Sequence, residues 1–392
     1  MKFEKPSQAA KRLGITARAI QKWANDGRIP GAYKLAGQWM VPADFTEPAK
    51  KNSAQITSVT ESFRAPASII NAEFEPGKCL EYIESVKDEN ERRLMYAEYC
   101  YYRGECEKAS EIAEEYLESS DVFLKSTACV VYFYANLSRG HVHLAKFALA
   151  VLQKGVKREE GYAKIPELHS LKVFTSHLAT VIGRVSSEDL EPLENWIKYL
   201  PGGMKLFSCY IVAHNMVKLS KFQGAHAVAK ISVELTLQSY VLSEIYCKII
   251  DTVALVNMRM VDEAQKQFMS AWELAKKDGF IEPFAEHYLI LCGLIERCLK
   301  NTSPDDYKRI TDSAEVFANK CLKLNLGIED DSVPELSVTE FSVAMLYTKE
   351  WSPKEIAYHL DMSVRTVYRH ISNIYATLGI GSVAELRKYM QN

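Results

Sequence analysis

Ser352-Pro353-Lys354-Glu355-Ile356-Ala357, followed by Ser363-Val364-Arg365-Thr366-Val367-Tyr368-Arg369-His370-Ile371, Ile374 and Leu378-Gly379-Ile380, is the stretch whose reading decides the fold. Ser337, Ser352 and Ser382 are each followed three residues later by a glutamate: Glu340, Glu355 and Glu385. Such a serine accepts from an orphan amide of the first turn while the glutamate reaches back, so three helices are expected to open with capping boxes. Pro353 stands at a first helical position, where its missing N–H costs nothing. Ser363 caps a further helix and Gly379 ends it in the left-handed conformation. Four short helices are therefore predicted between residues 337 and 390.

In the third of them, Val367, Ile371, Ile374 and Leu378 recur at i, i+4, i+7 and i+11, an apolar stripe for a small core. The opposite face carries Arg365, Tyr368, Arg369 and Ser372. A helix fits the major groove, and an arginine near its N-terminus can donate a bidentate pair to guanine O6 and N7. Over residues 336–390 the pattern resembles the LuxR/NarL-type helix–turn–helix of bacterial transcription regulators. The expected DNA contacts are Lys354, Arg365, Thr366, Tyr368, Arg369, His370, Ser372 and Asn373. The resemblance also implies a homodimer formed through the last helix, residues 383–389. Two positions depart from the family pattern, Tyr368 and Thr377, each standing where lysine is usual. Both changes remove positive charge and weaken the expected grip on phosphate.

The first 45 residues form a second candidate reading head. Ser7 is expected to cap a helix through Leu13; Gly14 breaks it, and Thr16 caps another ending at Gly27. Ala10, Leu13, Ile15, Ile20 and Trp23 make the inward face, leaving Arg18, Gln21, Lys22 and Asn25 outside. Two extended runs around Ala36-Gly37 predict a β-hairpin. Residues 6–45 resemble the excisionase/MerR-type winged helix–turn–helix. Thr16, Arg18, Gln21, Lys22, Asn25, Lys34 and Gln38 are its expected DNA contacts, although Gln38 stands where the family commonly has arginine.

Charge is distributed unevenly. Residues 1–51 carry ten Lys/Arg against four Asp/Glu, residues 334–392 carry six of each, and the remainder holds −8 of the net −2. The basic start suits a phosphate backbone, whereas the acidic middle does not. Of 392 residues, 47% are hydrophobic and 25% charged, enough for two to four domains. No apolar run approaches the ~20 residues needed to span a bilayer, and no signal peptide opens the chain. Nine cysteines without CxxC spacing argue against a disulfide framework or a zinc site, and Cys292 and Cys298 read as core thiols. The chain reads as cytoplasmic.

Residues 46–78 and 326–335 read as linkers. A flexible coil of 33 residues spans ~30 Å, close to one helical turn of DNA. Between them, turns are expected near Gly104, Gly140, Gly183, Ser220, Arg259 and Asn301. Gly104 and Gly140 are each followed five residues later by alanine (Ala109, Ala145), a spacing echoed by Ser220 with Ala225 and Arg259 with Ala264. A period of this size indicates stacked helical hairpins. Residues 79–325 resemble a degenerate tetratricopeptide array of about six hairpins. Residues 271–285 look like the segment preceding the LuxR-type head in large maltose-regulator-type activators. The ATP-binding module of those relatives is not expected, because Pro76-Gly77-Lys78-Cys79 lacks the first glycine and the Ser/Thr of a phosphate loop.

The expected fold is thus mostly α: an N-terminal winged helix–turn–helix, a central α-solenoid and a C-terminal four-helix LuxR-type head. The expected function is sequence-specific transcription regulation, with the repeat sensing a signal. Expected partners are double-stranded DNA, a second copy of the chain, a peptide, small-molecule or protein signal at the repeat, and RNA polymerase. Tyr99, Tyr101, Tyr102, Tyr132 and Tyr134 either line a groove in the array or pack between helices; packing is the commoner fate. His141-Val142-His143 lacks the partners of a metal site, no catalytic constellation is recognisable, and no cofactor, metal or membrane is expected. An architectural or recombination accessory, and a protein-binding adaptor with one vestigial head, are the alternatives.

Overall fold

The computed structural model describes residues 3–25, 29, 32–35, 38–43, 45, 68–158, 166–181, 187–326 and 336–391. It divides into two compact units, Met1–Arg64 and Ala65–Asn392.

The first unit holds β1 (Phe3–Glu4), α1 (Pro6–Leu13), α2 (Ala17–Asn25), β2 (Tyr33–Leu35) and β3 (Gln38–Pro42). Ser7 does not cap α1. Pro6 takes the first helical position, and the Gln8 side chain accepts from the Lys5 N–H at 3.0 Å, so the helix starts two residues earlier. Gly14, at φ 68°, ends α1 as expected. The predicted hairpin is present, with Tyr33 opposite Met40 and Leu35 opposite Gln38. Ala36-Gly37 lies outside the described residues. The sequence reading missed β1, which pairs antiparallel with β3 to complete a three-stranded sheet. Ala9, Ala10, Ile20, Ala24, Ile29 and Val41 form the core; Leu13, expected inside, stays half-exposed.

The second unit begins with a 3₁₀ turn, Ile69–Asn71. It continues through α3 (Cys79–Ser85), α4 (Glu89–Tyr102), α5 (Cys106–Glu114), α6 (Val122–Ser138), α7 (Val142–Arg158), α8 (Pro166–Val181), α9 (Gly202–Lys218), α10 (Phe222–Leu235), α11 (Val241–Asn257) and α12 (Val261–Asp278). Then come α13 (Glu282–Glu286), α14 (Tyr288–Leu291), α15 (Leu294–Leu299) and α16 (Pro304–Leu326). The last four helices are α17 (Val338–Thr348), α18 (Pro353–His359), α19 (Val364–Leu378) and α20 (Val383–Gln391).

Four helical hairpins, α4/α5, α6/α7, α9/α10 and α11/α12, turn in the same way. Gly104, Gly140, Ser220 and Arg259 sit at φ 81°, 80°, 56° and 63°. The next residue's N–H bonds the carbonyl five positions back: Glu105 to Cys100, His141 to Asn136, Lys221 to Met216 and Met260 to Leu255. This is the Schellman termination, which needs a left-handed residue at the turn. The alanine five residues on is fully buried each time, at Ala109, Ala145, Ala225 and Ala264, so its small side chain lets the return helix approach. The turn expected at Gly183 lies outside the described residues. That at Asn301 separates α15 from α16.

Residues 46–67 and 327–335 lie outside the described residues. Residues 68–78, expected to belong to a linker, instead thread between hairpins. Asn71 Oδ1 accepts from Gly203 N–H at 3.0 Å, Ser243 Oγ donates to Ile70 O at 2.9 Å, and Phe74 bridges Ser239. Ile69, Ala72 and Phe74 are apolar and buried, which is what draws this stretch into the core.

The chain then closes on itself. The Asp278 carboxylate accepts from Gly77 N–H at 2.7 Å and Cys79 N–H at 3.0 Å, and Ile281 N–H donates to Tyr102 O at 2.8 Å. This brings α13 into the interior, against α4, α11 and α16. Trp272, Phe268, Phe280 and Phe284 are among the largest fully buried side chains around it. No helix among the described residues is long and apolar enough to cross a membrane.

Candidate nucleic-acid interface

Each helix of the C-terminal segment starts where its serine cap dictates. Glu340 N–H donates to Ser337 Oγ and Ser337 N–H to Glu340 Oε2, and the same reciprocal pair joins Ser352 to Glu355. At the third box Glu385 N–H donates to Ser382 Oγ, but the Glu385 carboxylate reaches back to Gly381 N–H. Ser363 Oγ accepts from Thr366 N–H at 3.0 Å, and Gly379, at φ 64°, ends α19. Between α18 and α19 the chain turns at Asp361, φ 51°, a conformation that Asp tolerates better than most residues.

On α19, Val367, Ile371 and Ile374 are buried and Leu378 is half-buried. Arg365, Tyr368, Arg369, Ser372 and Asn373 are exposed, with Tyr368 59% accessible. At ~100° per residue, Arg365, Arg369 and Ser372 lie within about 60° of one another, opposite the buried stripe. Thr366 and His370 fall on the flank and are half-buried. Thr366 is engaged in the cap, its Oγ1 2.7 Å from Ser363 Oγ, and His370 Nδ1 is buried without a hydrogen bond. Lys354 is exposed on α18. Among the described residues no carboxylate holds Arg365, Arg369 or Lys354. These three cations are free for an anionic partner.

The head packs on the helices before it through the other side. α17 lies against α14 and α16. Arg259 Nη1 is 2.5 Å from Glu355 Oε1, and its guanidinium lies 5.1 Å from the Trp351 ring centroid. The Ser352 N–H, then the Arg259 charge, holds the Glu355 carboxyl below its ordinary range. His359 Nε2–H donates to Cys292 O at 2.7 Å; burial pushes its pKa down to about 4, keeping the ring neutral. Gly293, at φ 86°, leaves room for Leu360, whose Cδ2 would lie 1.9 Å from a Cβ there. These contacts were not foreseen, because Arg259 and Gly293 are far from the motif in sequence. The recognition face stays uncovered. On α20, Leu386 is buried, and Arg387 donates to Thr348 O and pairs with Glu350.

In the first unit, Arg18, Gln21 and Lys22 are exposed on α2, opposite buried Ile20 and Ala24. Thr16 is exposed and its Oγ1 accepts from Ala19 N–H at 3.3 Å. Asn25 is engaged with the hairpin: its Oδ1 accepts from Trp39 Nε1–H at 2.8 Å. Lys34 Nζ lies 5.2 Å from the Trp39 ring centroid, and Gln38 is exposed. Arg12, to which the sequence reading gave no role, pairs with Glu4 at 2.8 Å and donates to Phe45 O at 3.0 Å, tying the two ends of the unit together.

The geometry of α18 and α19 is that of a helix–turn–helix. The sequence model for the bacterial regulatory proteins, luxR family, matches residues 334–390. Those residues are a LuxR-family DNA-binding domain, and the match supports a DNA-binding transcription regulator. No curated protein and no solved structure matches the chain.

Proposed function

We propose that this protein is a sequence-specific, non-enzymatic transcription regulator in which a helical-repeat domain senses a signal and a LuxR-type head reads double-stranded DNA. The observation that carries the reading is the uncommitted face of α19. Arg365 and Arg369 are exposed side by side with Tyr368 and Ser372, and no carboxylate among the described residues neutralises them. Packing of α17 and α18 on the helical body supports a route by which a bound signal shifts the population of DNA-competent heads. The first unit, with Arg18, Gln21 and Lys22 on one face of α2, is proposed as a second, winged reading head. A second copy of the chain, paired through residues 383–389, is the proposed dimer partner; RNA polymerase is a proposed contact, and the compartment is the cytoplasm.

Selection of bound sites from random DNA at fixed salt tests this, with the full chain beside Arg365→Ala/Arg369→Ala and Arg18→Ala/Lys22→Ala. Each arginine that reads a base is worth about 1–3 kcal/mol of discrimination, so the first double variant should lose about 10-fold or more in specific affinity. A two-part motif, with one half lost in each variant, is the expected result. A motif untouched by the Arg365/Arg369 change would overturn the assignment of the reader.

A further inference from the structure

Inside the second unit is a cavity of about 40 Å³, walled by α4, α6, α8, α9, α11 and α13. Five tyrosines and two carboxylates, Glu98 and Glu286, line it; no Lys, Arg or His does. Glu286 receives the hydroxyls of Tyr101 and Tyr246 and belongs to the wall of the cavity. Glu98 is satisfied by Ser68 Oγ at 2.8 Å and Ile69 N–H at 2.5 Å. Among the described residues the hydroxyls of Tyr102 and Tyr134 have no hydrogen-bond partner. Two carboxylates elsewhere in the unit are compensated differently: Asp251 lies 2.5 Å from His226, and Asp278 caps α3. Glu286 is held by two tyrosine hydroxyls alone, and no cationic side chain stands beside it in the lining of the cavity. Buried charges are normally paired, and aromatic walls attract cations through the negative faces of their rings.

We propose that this cavity binds a small organic cation, its ammonium group facing Glu286 and its carbon atoms the tyrosine rings. A space of this size holds about three water molecules, so the ligand is an alkylammonium of about three to five non-hydrogen atoms. The regulatory meaning of such binding rests on the sensing role proposed above; the binding itself does not. Burial raises the pKa of Glu286 to about 8, so an arriving cation displaces a proton from it.

Isopropylammonium chloride is the probe, with isopropanol as its neutral isostere and potassium chloride at matched ionic strength as the salt control. Thermal unfolding and titration calorimetry are run on the full chain. A ligand of about four non-hydrogen atoms reaches at best a Kd of tens of micromolar, so titration extends to about 100 mM. The expected result is a saturable rise in Tm with isopropylammonium and none with isopropanol. Glu286→Gln should weaken the cation's binding at least tenfold, while Glu282→Gln, outside the cavity wall, leaves it within about threefold. An equal response to isopropanol, no saturable response to the cation, or full retention in a folded Glu286→Gln variant would each overturn the site. The comparison within the unmodified chain decides the matter even if that variant does not fold. Binding of the cation with no change in DNA affinity would leave the site and remove the sensing role; intact DNA reading without cation binding would remove the site alone.

Discussion

Ser220 and Arg259 hold the left-handed conformation that Gly104 and Gly140 adopt at the equivalent turns. A side chain in that conformation costs roughly 1–2 kcal/mol, part of which glycine returns through the greater freedom of its unfolded chain. Ser220→Gly should therefore stabilise the protein by about 0.5–1 kcal/mol, read as a higher urea midpoint. Gly203 presents the opposite case. A Cβ there would stand 2.2 Å from Ile70 O and 2.6 Å from Asn71 Cα, backbone that cannot yield cheaply. Gly203→Ala should cost about 2 kcal/mol or more and free the Ile69–Asn71 turn to faster hydrogen exchange. The turn residues were legible in sequence because the alanine five positions on repeats even where glycine does not. Gly203 was not, since its constraint comes from a segment some 130 residues away, joined to it by the Asn71 bond.

At the scale of the element, the C-terminal head was read almost whole. Caps, apolar stripe and exposed arginines are all local features, carried by residues within a few positions of one another. What stayed hidden is the surface beneath it. Thr366 and His370, chosen as DNA contacts from the motif, turn to the flank because the helical period places them near 100° and 140° from Arg365, at ~100° per residue. Asn25 is likewise claimed by Trp39, a contact that only the hairpin creates. The seat of the head on Gly293 is testable. Gly293→Ala forces Leu360 aside at a left-handed position, a change of about 1–3 kcal/mol. It should speed hydrogen exchange in Pro353–His359 while leaving the Ser363 cap of α19 protected. Unchanged exchange in α18 would mean that the contact contributes nothing to holding the head.

For the second unit as a whole, the buried carboxylates set the dependence of stability on pH. Burial raises Glu98 and Glu282 to about 7 and Glu286 to about 8, from an ordinary 4.5. The folded state therefore holds protons that the unfolded chain has released, so stability is full below about 4.5 and is lost as pH rises to about 8. Burial lowers His287 and His359 to about 4 from 6.5, and their contribution is lost instead as pH falls below 6.5. Between pH 6.5 and 8 the carboxylates act with little opposition, and stability should fall by about 1–3 kcal/mol across that interval. Urea midpoints measured across the interval check this, and Glu286→Gln should flatten the upper part. None of it was legible in sequence. The repeat spacing placed the hairpins, but nothing local indicated that residues 278–286 would fill the interior and carry Glu282 and Glu286 with them.

The closure through Asp278 also bears on how the chain is made. A repeat whose units touch only their neighbours can fold as it leaves the ribosome, each unit completing the last. Here the start of α3, the first α-helix of the second unit, has the N–H groups of Gly77 and Cys79 waiting for a carboxylate 201 and 199 residues further on. At ~5–20 residues per second, that interval lasts about 10–40 s. Throughout it, the rings of Tyr99 and Tyr102 lack Phe280, against which both pack edge-on. Synthesis thus passes through a prolonged, aggregation-prone nascent stage that ends only when Asp278 and Ile281 have emerged.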